Sequence, residues 1–129
     1  MSAFSNALGV SASGLKAQAH RLRILAENVA NMDTPGYHRK TVSFDAATAT
    51  NDLAKVEIGT ISMDRREGEK IYDPGHPMAD SGGHYVGSNV DLVVEIADAR
   101  EAQRSYEANL KMFDQARQMS SGLMDLLRK

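Results

Sequence analysis

The chain contains no cysteine, so disulfides and thiolate metal sites are closed to it, and its redox compartment stays open. Tryptophan is also absent, and the four tyrosines and three phenylalanines make up only 5% of the residues, so Ala, Leu, Val and Met must carry most burial. A single domain of 129 residues buries a smaller share of its surface than a larger one does, which points toward neighbours that complete the packing. No stretch approaches the ~20 apolar residues of a membrane-spanning helix. The amino terminus lacks the basic patch and uninterrupted apolar run of a cleavable secretory signal. Composition alone therefore points to the cytoplasm, unless another export route reads a different signal. Concentrated positive charge is missing too. The formal charge is −2, and Lys16, Arg21, Arg23, Arg39 and Lys40 are interleaved with neutral residues, so they read as a solvated face rather than a nucleic-acid footprint.

What the chain does have is helical repetition at both ends. Leu8, Leu15, Leu22 and Val29 recur at sevens, with Ala12, Ala19 and Ala26 four residues after the leucines. That spacing predicts a helix over residues 4–31 with one narrow stripe suited to a partner helix, a coiled-coil seam more than a globular core face. Gly9 and Gly14 interrupt it, each at a cost of about 0.8 to 1 kcal/mol relative to Ala, so the first half is marginally helical alone. The second helix is expected from about Asn89 to Leu127. Ser88-x-x-Asp91 has the spacing of a helix start, and Leu92, Ala99, Tyr106, Phe113, Ser120 and Leu127 recur at sevens, with Ile96 and Leu110 one turn on. Tyr106 and Phe113 are the candidate anchors of the helix pair. Met112, Met119 and Met124 read as core filling, with packing between subunits as the alternative.

Between the helices the periodicity changes. Pro35-Gly36 in Asp33-Thr34-Pro35-Gly36-Tyr37 fits a type II turn, and Pro35 turns Thr34 away from helical geometry. Alternation predicts short strands over residues 37–44 and 55–63. In the second, Val56 and Ile58 share one parity and Ile61 and Met63 the other, so Gly59 marks a bulge or a bend. Residues 73–89 hold two prolines and four glycines and read as a turn-rich loop. The expected fold is mainly α: long antiparallel terminal helices forming a coiled-coil hairpin, with a small β-rich extended arm between them. The division is 1–33 for the first helix, 34–88 for the arm and 89–129 for the second helix.

Specific strings carry more than periodicity does. Ser11 to Tyr37, with Asn28-Val29-Ala30-Asn31 and then Asp33-Thr34-Pro35-Gly36-Tyr37, resembles the amino-terminal signature of flagellar rod and hook axial proteins. Tyr72-Asp73-Pro74-Gly75-His76-Pro77-Met78-Ala79-Asp80, then Tyr85-Val86 and Asn89 to Glu95, resemble the short proximal-rod type within that family, and Ala102 to Asn109 resembles its closing helix. The likeness covers residues 1–45 and 70–129. Ala46 to Lys55 matches nothing and reads as a variable loop.

The resemblance implies a structural subunit of the periplasm-spanning rod of the flagellar basal body, exported by the flagellar type III apparatus without a cleavable signal. Its implied partners are its own copies and the rod proteins FlgB, FlgF, FlgG and FliE, with no nucleic acid, no membrane insertion, no cofactor and no metal. A glycine-weakened first helix would then order on joining a polymer. The implied assembly surface is Leu8, Leu15, Leu22, Asn28, Val29, Asn31, Tyr106, Leu110, Phe113 and Leu127; the turn and arm motif is Pro35, Gly36, Tyr37, Asp73, Pro74, Gly75, His76 and Pro77. Asn28 and Asn31, one turn apart near a helix end, either satisfy orphan carbonyls or bridge to another subunit. Alternatives are another axial protein of the rod or hook and a coiled-coil adaptor. An enzyme would have to use Asp73, His76, Asp80 and His84, whose spacing fits no metal template and no nucleophile–base motif.

Overall fold

The computed structural model describes residues 2–48 and 54–128. Two long helices, α1 (Ser2–Ala30) and α2 (Leu92–Leu127), enclose four strands in the chain order. Strands β1 (Lys40–Thr48) and β2 (Ala54–Met63) form one antiparallel pair; β3 (Lys70–Tyr72) and β4 (His84–Val86) form another. The turn-rich segment therefore contains a short strand, β4, where alternation is too brief to register. The expected loop at Ala46 to Lys55 is shorter: both strands extend into it, and residues 49–53 lie outside the described residues.

The helices run antiparallel. Gly14 faces Asn109, Arg21 reaches Glu101 and Asn28 reaches Glu95, so partners fall along α2 as positions rise along α1. Ala17 of α1 and Ala102 of α2 are fully buried, and Ile24 and Leu25 of α1 are buried as well. A methyl at Gly14 would sit 2.7 Å from the Asn109 Oδ1, so any larger residue there must displace that carboxamide. At 36 residues α2 is about 54 Å long, against about 44 Å for the 29 residues of α1.

Asp91 is the N-cap of α2, its carboxylate accepting the Val93 N–H at 3.0 Å. Ser88, which has the spacing of a helix start, is engaged elsewhere: its hydroxyl donates to the Met32 carbonyl. α1 ends as its sequence predicts. The Asn31 amide donates to the Glu27 carbonyl at 2.8 Å, satisfying one orphan acceptor of the last turn. The turn follows, with Gly36 at φ 73° and the Tyr37 N–H on the Thr34 carbonyl at 3.2 Å.

The β1–β2 hairpin folds back along α1 instead of projecting away. Its base lies at Asn28, and farther out the Val56 N–H donates to the Ser13 hydroxyl at 3.1 Å. The irregularity falls where Val42 pairs with Ile61 but Phe44 pairs with Ile58, so β2 spends one extra residue at Gly59-Thr60. That residue restores the phase: Val56, Ile58, Ile61 and Met63 all lie on the face shared with Val42 and Phe44. Gly59 is required there, because a methyl would lie 2.5 Å from the Ser43 hydroxyl and 3.0 Å from its carbonyl.

Candidate assembly surface and its polar anchor

A helix that belonged to a globular core would show a continuous buried stripe. Along α2 only Glu95 and Ala102 are fully buried. Large apolar side chains stand in solvent at both ends: Val93 is 75% exposed, Met119 62% and Leu127 75%, with Leu92, Ile96, Leu123 and Leu126 also exposed. Met112 and Met124 are exposed as well, so none of these three methionines fills a core within the subunit. Leu22, Ala26, Val29 and Ala30 of α1 meet Ile96 and Ala99 of α2 in an open apolar groove between the helices.

The residues of the seven-fold stripe are distributed unevenly around this surface. Leu8, Leu15 and Leu22 are half-buried and Val29 is exposed; Tyr106 and Phe113 are half-buried, while Leu110 and Leu127 are exposed. Leu22 and Val29 share the groove, whereas the side chains fully enclosed on α1 are Ser11, Ala17, Ile24, Leu25 and Asn28.

Asn28 and Glu95 are the largest fully buried side chains, and both are polar. Burial of such groups is tolerated only when their hydrogen bonds are made. The Asn28 carboxamide donates to the Lys40 carbonyl at 2.8 Å and accepts the Lys40 N–H at 2.8 Å, pairing with the free edge of β1 as one residue of a strand would. The Tyr37 hydroxyl donates to the same Oδ1 at 2.9 Å. Burial, reinforced by the Glu27 charge, raises the Tyr37 pKa and keeps that hydroxyl a donor.

Glu95 takes the Arg39 Nε at 2.6 Å, with the Asn28 amide 3.4 Å from its other oxygen. Arg39 also reaches Asp98 at 3.5 Å, and Arg21 lies 3.9 Å from Asp98 and 3.6 Å from Glu101. Glu95, Asp98 and Glu101, three apart on α2, thus form an acidic row that receives one arginine from the hairpin and one from α1. Arg21 and Arg39 are therefore not part of a solvated face. Their side chains are 19% and 13% exposed. The signal in the sequence was the acidic spacing on α2, readable only once that edge is known to face α1. Lys40 is closer to the expectation, in a partly exposed pair with Glu27 at 2.6 Å that lowers the Glu27 pKa.

Asn89 makes a second clamp. Its oxygen accepts the Arg39 N–H at 2.6 Å and its amide donates to the Asp64 and Arg66 carbonyls at 2.9 Å each. Both strands of the hairpin are held at their base by asparagine side chains.

The Asp73 to His84 segment is occupied by turn chemistry. The His76 N–H donates to the Asp73 carbonyl at 3.0 Å, and the exposed turn residues Pro74, Gly75 and Pro77 flank it. The His76 imidazole accepts the Met78 N–H at 3.1 Å and stacks on Tyr85 with centroids 3.9 Å apart. Asp80 accepts the N–H groups of Gly82 and His84 at 2.8 and 3.0 Å, and the His84 bond lowers its pKa most. Among the described residues no cluster of three or more His, Asp or Glu is placed to hold a metal ion, and no helix is long and apolar enough to cross a membrane.

Both ends of the chain match models of one protein class. Residues 1–38 match the "Flagella basal body rod protein" family and residues 82–126 match "Flagellar basal body rod FlgEFG protein C-terminal". The flagellar basal-body rod protein FlgC of Agrobacterium fabrum is 40% identical, over 99% of this chain and 98% of its own length. The chain belongs to the FlgC family. Family members from Aquifex aeolicus, at 39% identity over 84% of the chain and 85% of their own length, and from Salmonella typhimurium, at 31% over 91% and 92%, carry the same name. FlgC proteins are structural rod proteins and not enzymes.

Proposed function

We propose that this FlgC-family chain is a subunit of the proximal rod, polymerising helically with its own copies and with the rod proteins FlgB, FlgF, FlgG and FliE to form the drive shaft. The observation that carries this reading is the long α2 with only two fully buried residues and apolar side chains exposed along its length. Exposed apolar surface of that extent marks interaction faces. The open groove at Leu22, Val29, Ile96 and Ala99 supplies a concave counterpart. Residues 1–33 and 89–129 act as the axial helical part, a coiled-coil-like seam completed by neighbouring subunits, with 34–88 as the β-rich arm. Leu8, Leu15, Leu22, Val29, Tyr106, Leu110, Phe113 and Leu127 take part in contacts between subunits. Asn28 and Asn31 serve within the subunit, and Pro35, Gly36 and Tyr37 set the turn that starts the arm. Export by the flagellar type III apparatus would deliver the chain to a rod crossing the periplasm.

The test is recovery of the tagged chain in isolated basal bodies, alongside Leu22→Asp and Tyr106→Ala. The proposal expects the wild-type chain in the rod and both variants excluded. Normal incorporation and motility in both variants would contradict the assigned faces.

A further inference from the structure

The β1–β2 hairpin presents a problem of support. Among its described residues none is fully buried: Val42, Phe44 and Ile58 are half-covered, and Ile61 and Met63 are exposed. Its apolar face rests on α1 without a sealed core, so shape-matched packing alone leaves its direction weakly specified. The base, by contrast, is held by directional bonds. Asn28 grips the backbone of Lys40, Asn89 grips the backbone of Arg39, Asp64 and Arg66, and Arg39 is fixed on Glu95.

We propose that Asn28, Asn89, Arg39 and Glu95 are positioning residues that lock the direction of the β1–β2 hairpin against the helix pair, and that the assembling rod requires this fixed direction. The inference rests on the functional reading above. Asn28 and Glu95 have no exposed surface, so neither can touch a neighbouring subunit. Any assembly defect they cause must act through the placement of what they hold. Such buried polar pairs contribute definition of geometry more than net stability. The two asparagines divide the work: Asn28 sits on α1 and holds the incoming strand, while Asn89 precedes α2 and holds both strands at the base. The hairpin is thereby tied to both helices.

The native chain has no cysteine, which permits a clean test. The Ser13→Cys/Val56→Cys double variant marks the contact where the Val56 N–H meets the Ser13 hydroxyl. A short bis-maleimide, each end of which adds one cysteine thiol across its double bond, applied to the purified full chain reads how constantly the hairpin lies on α1. Expected is efficient cross-linking with the native clamp, at least a five-fold lower rate after Arg39→Ala, and at least a ten-fold fall of Arg39→Ala chain in isolated rods with helical circular dichroism retained. Should Arg39→Ala fail to fold, Arg39→Lys, which keeps the charge but loses the Nε bond, and Asn89→Ala answer the same question. Cross-linking unchanged by these variants, no cross-linking with the native clamp, or full incorporation despite a freed hairpin would each overturn the proposal. A wild-type chain absent from rods would instead refute the functional reading, and the cross-linking rates would still decide whether the clamp holds the hairpin.

Discussion

Asn28 and Lys40 pair across the end of α1 as two residues of neighbouring strands would, side chain to backbone, with both bonds at 2.8 Å. The carboxamide suits this because it offers a donor and an acceptor side by side, and no carboxylate does. Asn28→Asp removes the donor to the Lys40 carbonyl and sets a second carboxylate beside Glu95. We expect a loss of ~3 kcal/mol, from an unsatisfied buried acceptor and an unpaired buried charge. Urea unfolding followed by circular dichroism measures it; a change under 1 kcal/mol, roughly the worth of one ordinary hydrogen bond, would show that the node is not cohesive.

The two glycines of α1 should respond oppositely to the same substitution. At Gly9 a methyl meets, among the described residues, only the Lys55 side chain, at 3.4 Å, so Gly9→Ala should stabilise by about 0.5 to 1 kcal/mol through helix propensity. At Gly14 it would displace the Asn109 carboxamide, which donates to the Ser105 carbonyl at 2.9 Å. Gly14→Ala should destabilise by about 1 kcal/mol, the overpacking cost exceeding the propensity gain. Thermal melts of both variants check the contrast.

Asp64 titrates far from the ordinary carboxylate range. Hydrogen bonds from the Arg66 guanidinium and N–H lower its pKa to about 2. A depressed carboxylate contributes stability that is complete above the unfolded pKa near ~4 and is lost as pH falls through the folded value. The Asp64–Arg66 loop should therefore stay intact at pH 4 and loosen toward pH 2. Carboxyl NMR should give a midpoint of about 2 for Asp64. Arg66→Ala should return that midpoint toward the ordinary range.

Buried and exposed apolar positions should separate folding from assembly. Leu25 is 6% exposed, and Leu25→Ala should cost ~2 to 5 kcal/mol of stability. Val93 and Leu127 are each 75% exposed, and changing them to Ser should move the stability of the isolated chain by no more than about 0.5 kcal/mol. Their effect should appear as loss of chain from the rod. Chemical denaturation and basal-body recovery, run on the same variants, read the two quantities independently.

Much of the fold was legible because its determinants are local. The Pro35-Gly36 turn, the Asn31 cap and the bulge at Gly59 each follow from residues within a few positions of one another. Asn28 with Lys40, and Arg39 with Glu95, are separated by 12 and 56 residues. Nothing in their spacing says that the hairpin returns along α1, so Arg39 looks like surface charge until that return is known. Ser88 and Asp91 both suit a helix start, and the choice falls to Asp91 because Ser88 is bonded to Met32 across the fold. The leucine repeat stands out in the sequence, yet the buried positions include Gly14, Ala17 and Ala102, whose small size makes no hydrophobic signal.

The central claim is that the apolar faces of the two helices are completed by other subunits. A density map of the assembled basal-body rod, at a resolution that traces side chains, tests it most directly. The account predicts Val93, Ile96, Met119 and Leu127 covered by neighbouring subunits and the Leu22–Val29 groove filled. The same side chains facing solvent within the rod would contradict it.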